Sequence, residues 1–245
     1  MEKKKLILSS VIVLIAIAIF FIIYKSGDKE KDTIQSEHKP AEETNYSASF
    51  IPEDMTIEEK KNRFLHLMLP PVKSVFSQLE ERHRRVTAKI KSGKEQKEIE
   101  KLKKEYKAET DKELMMALKP HPVSIVLAQA ALESSWATSR FFFEARNIFG
   151  VWSFDPGEPR IAAGEKRDNK TVWVKKYDTL EASVKDYYRI LGRSPAFKEF
   201  RELRLKTNDP FKLVRELENY SEKRDKYTKN LSAMIRFNNF TKYDN

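Results

Sequence analysis

The spacing of apolar and polar residues divides this chain into stretches of different kinds. From Leu6 to Tyr24, nineteen residues follow without a charge, near the length that crosses a bilayer core at about 1.5 Å of rise per residue. Lys25 to about Asp54 is polar and charged, with Pro40 and Pro52 and few large apolar residues, and reads as a flexible tether. A helix is expected to start near Thr56, where Ile57 and Glu59 suggest a cap. Phe64, Leu65 and Met68 form its apolar stripe before Pro70 and Pro71, and a longer helix follows from Val72 to about Ile90. Gly93 marks a break, after which Lys and Glu spacings from Glu95 to Leu118 predict one more solvated helix.

Val123 to Trp136 differs in leaving almost no polar face, which predicts a helix buried on all sides but too short to span a membrane. Asp155-Pro156-Gly157 signals a turn. Arg160 to Ala163 and Thr171 to Tyr177 can pair as a small hairpin around a loop from Gly164 to Lys170. Val184, Tyr187, Tyr188 and Leu191 mark one later helix face, and Tyr227, Leu231, Met234 and Ile235 mark another, with Asp209-Pro210 starting a helix between them. The expected fold class is mainly α with a minor β-hairpin lobe.

Composition narrows the chemistry. The absence of cysteine excludes disulfides, thiolate metal sites, thiol nucleophiles and a lipidated N-terminal cysteine. The four histidines, His38, His66, His83 and His121, lack metal-ligand spacing, and there is no Gly-rich phosphate loop or serine-triad motif, so no metal or cofactor is expected. A net charge of +10 favours anionic partners, among them nucleic acid, anionic lipid and bacterial wall polymers. No aromatic-basic motif or recognition helix supports nucleic acid. The apolar run at 6–24 is read as an uncleaved anchor, because a signal peptide has a shorter apolar region ending at a small-residue cleavage site. Lys3, Lys4 and Lys5 favour an N-terminus inside the cell.

Glu133 is the carboxylate that stands out, at the end of the most apolar helix and just before Ser134, Ser135 and Trp136. Burial and the negative end of the helix both disfavour its charged form, the environment a glycosidase acid requires. A buried ion pair with Arg140 or Arg146 would be the structural alternative.

The run Val123-Ser124-Ile125-Val126-Leu127-Ala128-Gln129-Ala130-Ala131-Leu132-Glu133-Ser134-Ser135-Trp136, followed by Thr138-Ser139-Arg140 and Asn147-Ile148-Phe149-Gly150, closely resembles the signature of bacterial glucosaminidases of glycoside hydrolase family 73. Phe64-Leu65-His66-Leu67-Met68-Leu69-Pro70 upstream, and Tyr220-Ser221-Glu222-Lys223-Arg224, Tyr227 and Met234-Ile235-Arg236 downstream, are most similar to the Bax-type subgroup. The resemblance spans about residues 60 to 240. It implies a lysozyme-like helical domain with a β-lobe beside a glycan groove, and hydrolysis of the β-1,4 bond after N-acetylglucosamine in peptidoglycan. Glu133 would be the general acid, and Ser134 beside it would contact substrate. Asn147, Phe149 and Gly150 would close the floor of the groove, and Tyr220 and Tyr227 would line it. Trp136 is expected in the core, whereas Trp152 could pack or stack on a sugar.

The second carboxylate is open. Glu165 is the first candidate, carried over the groove by the hairpin loop, followed by Asp168 and Glu158; similar sequences often place an acid where Trp173 stands here. A loop acid, assistance by the substrate's acetamido group and weak activity all remain consistent with the residues. The rival readings are a lytic transglycosylase and a non-catalytic wall-binding protein. The expected organisation is an anchor at 1–24, a linker at 25–55, a helical segment at 56–118 packing on the catalytic domain, and that domain at 119–245. The expected location is the inner membrane with the domain on its outer side, where peptidoglycan strands are the partner. A regulatory protein is unreadable from the sequence.

Overall fold

The structure, a computed structural model, describes residues 46–244 except 168 and 169. The expected membrane segment and residues 25–45 of the tether lie outside the described residues. No helix among the described residues is long and apolar enough to cross a membrane. The domain is mainly helical with one two-stranded antiparallel hairpin.

Helix α1 (Ile57–Ser92) opens as its sequence predicts: the Thr56 hydroxyl accepts from the Glu59 N–H at 3.2 Å and the Glu59 carboxylate accepts from the Thr56 N–H at 2.8 Å. It ends at Gly93, whose φ of 66° only glycine adopts without strain. The break expected at Pro70 and Pro71 does not occur, and the helix continues through both. Proline there forfeits backbone N–H bonds. Against that loss, Phe64, Met68, Val72 and Val75 are all fully buried along one stripe, with Pro71 beside them, so tertiary packing holds the helix together.

The single helix expected over 95–118 is two, α2 (Gln96–Tyr106) and α3 (Asp111–Leu118). Lys107 turns left-handed at φ 56°, and Thr110 with Glu113 forms a second capping box that restarts the helix. Nor is the segment solvated all round. Ile99, Leu102 and Tyr106 of α2 join Val86, Leu114 and Leu118 in a small core of their own.

The main core is organised around α4 (Val123–Glu133), whose residues from Val123 to Ala131 are all buried. Phe64, Met68, Val72 and Val75 of α1 belong to the same core, as do Val184, Tyr187, Tyr188 and Leu191 of α6 (Leu180–Arg193) and Tyr227, Leu231 and Ile235 of α9 (Asp225–Phe237). Between α4 and α6 come α5 (Arg140–Ala145) and the hairpin β1 (Arg160–Arg167) and β2 (Lys170–Lys175). The pairing runs Arg160 to Lys175, Ile161 to Val174 and Ala162 to Trp173, then shifts before Lys166 meets Thr171. Gly164, at φ 88°, sits in that bulge. Most of the expected 164–170 loop is therefore strand. Helices α7 (Lys198–Lys206) and α8 (Pro210–Leu213) link α6 to α9, with Asp209 capping α8 as its sequence predicts.

Helix α6 approaches α3 at Gly192, where an added Cβ would lie 2.8 Å from the Ala117 carbonyl oxygen and 3.2 Å from the Tyr106 ring. Gly192→Ala is expected to destabilise the domain by about 1–3 kcal/mol, measured by urea denaturation, whereas Gly93→Ala would be felt through backbone strain alone.

Candidate active site

Helix α4 ends at Glu133 because the next residues cannot continue it. Ser135, Trp136 and Ala137 are left-handed in succession, at φ 53°, 63° and 63°. Each such residue costs about 1–2 kcal/mol in an L-chain, so the turn needs support. Ser134 supplies part of it: fully buried, its hydroxyl donates to the Ala130 carbonyl at 2.6 Å and accepts from the Ala137 N–H at 2.8 Å. Trp136 packs edge-on against Phe64 at 5.2 Å, and Lys61 lies over its other neighbourhood, 5.3 Å from the indole centroid. Arg63 completes the support from α1. Its buried guanidinium donates to the Ala137 carbonyl at 2.8 Å, and also to the Ser47 and Phe50 carbonyls at 2.9 and 2.7 Å. The last residues of the expected tether are thus tied to the turn that sets Glu133.

The Glu133 carboxyl is partly buried and has no ion pair with Arg140 or Arg146; Arg140 instead pairs with Glu144 at 3.6 Å. Its partner is Tyr227, whose hydroxyl donates to Oε1 at 2.8 Å. Burial pushes the Glu133 carboxyl up to about 7, against the opposing pull of the Tyr227 hydrogen bond and of the Lys223 charge. The Tyr227 ring is stacked on Tyr220 with centroids 5.5 Å apart and planes 6° from parallel. Tyr220 is itself partly exposed and borders a small pocket of about 20 Å³ with Phe149, Tyr187, Phe197 and Asn219. Phe149 is buried against Tyr187, with stacked rings 4.1 Å apart. Glu133, Tyr227, Tyr220 and Phe149 therefore form one continuous assembly.

Other expected contacts are placed differently. Ser134, with no exposed surface, cannot reach a ligand and acts on the backbone after Glu133. Asn147, 1% exposed, spends its amide inside the protein: Nδ2 donates to the Val151 and Lys175 carbonyls and Oδ1 accepts from the Val151 N–H, each at 2.9 Å. It fixes the 147–151 loop to β2, and Gly150 turns that loop at φ 65°. Trp152 lies in a satellite core with Phe141, Val172 and Val174 under the hairpin, a packing position and not a sugar platform. Glu158 is held by Lys175 at 2.9 Å, and that contact keeps its carboxyl below the usual range despite partial burial. Glu165 stands in the β1 strand and not on a loop, its side chain outside what the structure describes; Asp168 lies outside the described residues.

Two residues near the carboxyl, Gln129 and Lys223, are not among those expected at the site. Gln129 sits four residues before Glu133, on the same face of α4, and its amide donates to Tyr227 at 2.9 Å. That spacing was the available signal.

Residues 108–240 match the family model described as glucosaminidase, mannosyl-glycoprotein endo-beta-N-acetylglucosaminidase. Protein bax of Escherichia coli is 28% identical over 123 residues, a match that covers 48% of this chain and 43% of that relative. The matched part thus spans less than half the length of the curated relative. Among solved structures, a glycoside hydrolase domain from Salmonella typhimurium FlgJ is 18% identical with a TM-score of 0.44, covering 73% of this chain and 96% of that one. The catalytic domain of the autolysin Auto from Listeria monocytogenes is 19% identical with a TM-score of 0.44, covering 79% and 100%.

Two outcomes follow from the site. Ser134→Ala is expected to lower stability by about 1–3 kcal/mol, because it strips both hydrogen bonds from an enclosed turn. For Glu133, a folded value raised above the unfolded one means that stability is full below about pH 4.5 and falls as pH rises through about 7. Glu133→Gln is therefore expected to gain on the order of 2 kcal/mol at pH 8 and little at pH 5, checked by thermal melts at both values.

Proposed function

We propose that this chain, which belongs to the glucosaminidase family of glycoside hydrolases, hydrolyses the β-1,4 bond after N-acetylglucosamine in peptidoglycan with Glu133 as its general acid. The observation that carries the reading is a carboxyl at the end of the most deeply buried helix, pushed up to about 7 by that burial and hydrogen-bonded by Tyr227 inside the matched region. Such a group is protonated in a useful fraction of molecules near neutral pH and can give its proton to the departing sugar oxygen as the C1–O bond breaks. The carboxylate left behind keeps the Tyr227 hydrogen bond. In net terms water supplies a hydroxyl to C1 and a proton to the departing oxygen.

The choice of peptidoglycan as substrate draws on the resemblance of residues 123–150 to the bacterial enzymes of family 73 and on the net charge of +10, which suits an anionic wall. The apolar run from Leu6 to Tyr24 would hold the domain at the outer face of the inner membrane, with the following residues as a spacer. On the catalytic side, Glu133 would act beside the partly exposed Tyr220, whose ring offers an apolar face to a sugar.

The test is to incubate the full-length chain in detergent, and its Glu133→Gln variant, with purified peptidoglycan and to identify released fragments by mass spectrometry. Reducing N-acetylglucosamine ends from the wild type, reduced about 10²–10⁴-fold in the variant, are expected. Anhydro ends would replace this reading with a transglycosylase, and binding without release would replace it with a wall-binding protein. Because the acid must carry its proton, kcat/KM is expected to fall as pH rises through about 7.

A further inference from the structure

The hydrogen bonds at Glu133 continue past Tyr227 into the core. The Tyr227 hydroxyl oxygen accepts from Gln129 Nε2 at 2.9 Å, and Gln129 Oε1 accepts from the Tyr187 hydroxyl at 2.5 Å. The Tyr187 oxygen lies 2.9 Å from His121 Nε2, and Arg204 Nη1 lies 3.3 Å from His121 Nδ1. Gln129, Tyr187, His121 and Arg204 are each at most 1% exposed, so every link runs through the protein interior. The far end is anchored. Arg204 Nη2 donates to the Met116 carbonyl at 2.6 Å, and its guanidinium lies 5.3 Å from the Phe200 ring centroid.

The direction of every bond in this series follows from its end. A guanidinium has only donors, so Arg204 must give a hydrogen to His121 Nδ1. Burial pushes the Arg204 guanidinium down to about 9, which leaves it charged near neutral pH, and burial together with that charge holds His121 well below its usual range. The ring is then neutral with its one hydrogen on Nε2, a tautomer assigned from its partners. Nε2–H donates to Tyr187, the Tyr187 hydrogen goes to Gln129 Oε1, and the Gln129 amide must turn its NH2 toward Tyr227. With its oxygen occupied by that donor, the Tyr227 hydroxyl points at Glu133 Oε1.

We propose that Gln129, Tyr187, His121 and Arg204 are positioning residues that orient the Tyr227 hydroxyl, so that Glu133 Oε1 is always an acceptor and the proton given to the departing sugar oxygen is confined to Oε2. The proposal rests on the reading of Glu133 as general acid. A carboxyl free to hold its proton on either oxygen would present it correctly only part of the time; a fixed acceptor on one side removes the wrong arrangement before substrate binds. The amide of Gln129 is the joint of the device, because a simple turn of its side chain would exchange the donor and acceptor ends that meet Tyr227 and Tyr187.

The titratable groups facing Glu133 are Tyr187, Tyr220 and Tyr227, each held above its usual range by burial, and the Lys223 ammonium. Those facing His121 are Arg204, Tyr187 and Tyr188. A titration of the Glu133 carboxyl near neutral pH is therefore separable from the tyrosines around it.

The experiment uses the full-length chain with carbon-13 carboxyl-labelled glutamate, the Glu133 resonance being identified by its loss in Glu133→Gln, alongside pH profiles of turnover on peptidoglycan. Tyr187→Phe keeps the ring that stacks on Phe149 but releases the Gln129 amide. The Glu133 midpoint is expected to rise by about one pH unit, with kcat lowered about tenfold and KM unchanged. Gln129→Glu preserves the donor and acceptor pattern only while its new carboxyl is protonated. Near wild-type turnover at low pH, with a loss at lower pH than the wild type shows, is expected. An unmoved Glu133 midpoint in folded Tyr187→Phe would overturn the proposal, as would a fall in kcat without any change in either profile. The resonance titration needs no substrate, so shifted midpoints in a protein that releases nothing from peptidoglycan would sustain the positioning role and reject the substrate.

Discussion

A helix with no polar face has to be surrounded, and the total burial of α4 is the constraint from which the rest of this domain follows. Ser124, Gln129 and Glu133 are the side chains on it that need hydrogen bonds, and leaving such groups unpaired inside a protein costs about 1–3 kcal/mol each. All three are answered from far along the chain. Asp244 accepts from both the N–H and the hydroxyl of Ser124 at 2.7 Å, standing in for the cap that Pro122 cannot provide. Tyr187 and Tyr227 meet Gln129, and Tyr227 meets Glu133. The C-terminal helices are therefore needed twice, once to cover apolar surface and once to satisfy the polar groups that the core helix carries.

The same burial sets the state of the carboxyl at the helix end. A fully exposed carboxyl would titrate in the ordinary range, whereas the partly buried Glu133 is pushed up to about 7. The strain next to it has a purpose in the architecture. Three left-handed residues after Glu133 end the helix abruptly, and Ser134, Trp136 and Arg63 hold that turn from three sides. Because Arg63 also grips the Ser47 and Phe50 carbonyls, the segment leading into α1 is built into the support of the turn after Glu133. This arrangement joins the N-terminal helix to the site more closely than a packing accessory would require.

The hairpin serves the site at a distance. Asn147 and the Tyr177 N–H, which donates to the Ala145 carbonyl at 2.8 Å, fasten the loop after α5 to the end of β2, and Trp152 fills the space beneath the strands. Residues that a motif comparison places at the floor of a groove thus include one that fixes backbone, Asn147, and one that borders the small pocket, Phe149. Proximity in a motif does not distinguish the two roles.

Much of this was legible along the chain, since local rules acted where they were strong. The Thr56 capping box, the glycine stop at Gly93, the buried helix from Val123 and the apolar faces of α6 and α9 all follow from spacing and residue type, and the same run of residues singles out Glu133 at the end of the buried helix. What spacing could not decide was every feature that depends on partners remote in sequence. Helix α1 survives Pro70 and Pro71 because its buried stripe meets α4, and Ser134 is denied to ligand because the turn closes over it. Gln129 looks like one more residue of an apolar helix until Tyr187 and Tyr227, 58 and 98 residues away, arrive at its two ends. Hydrogen-bond direction and burial belong to the assembled core, and only tertiary structure determines them.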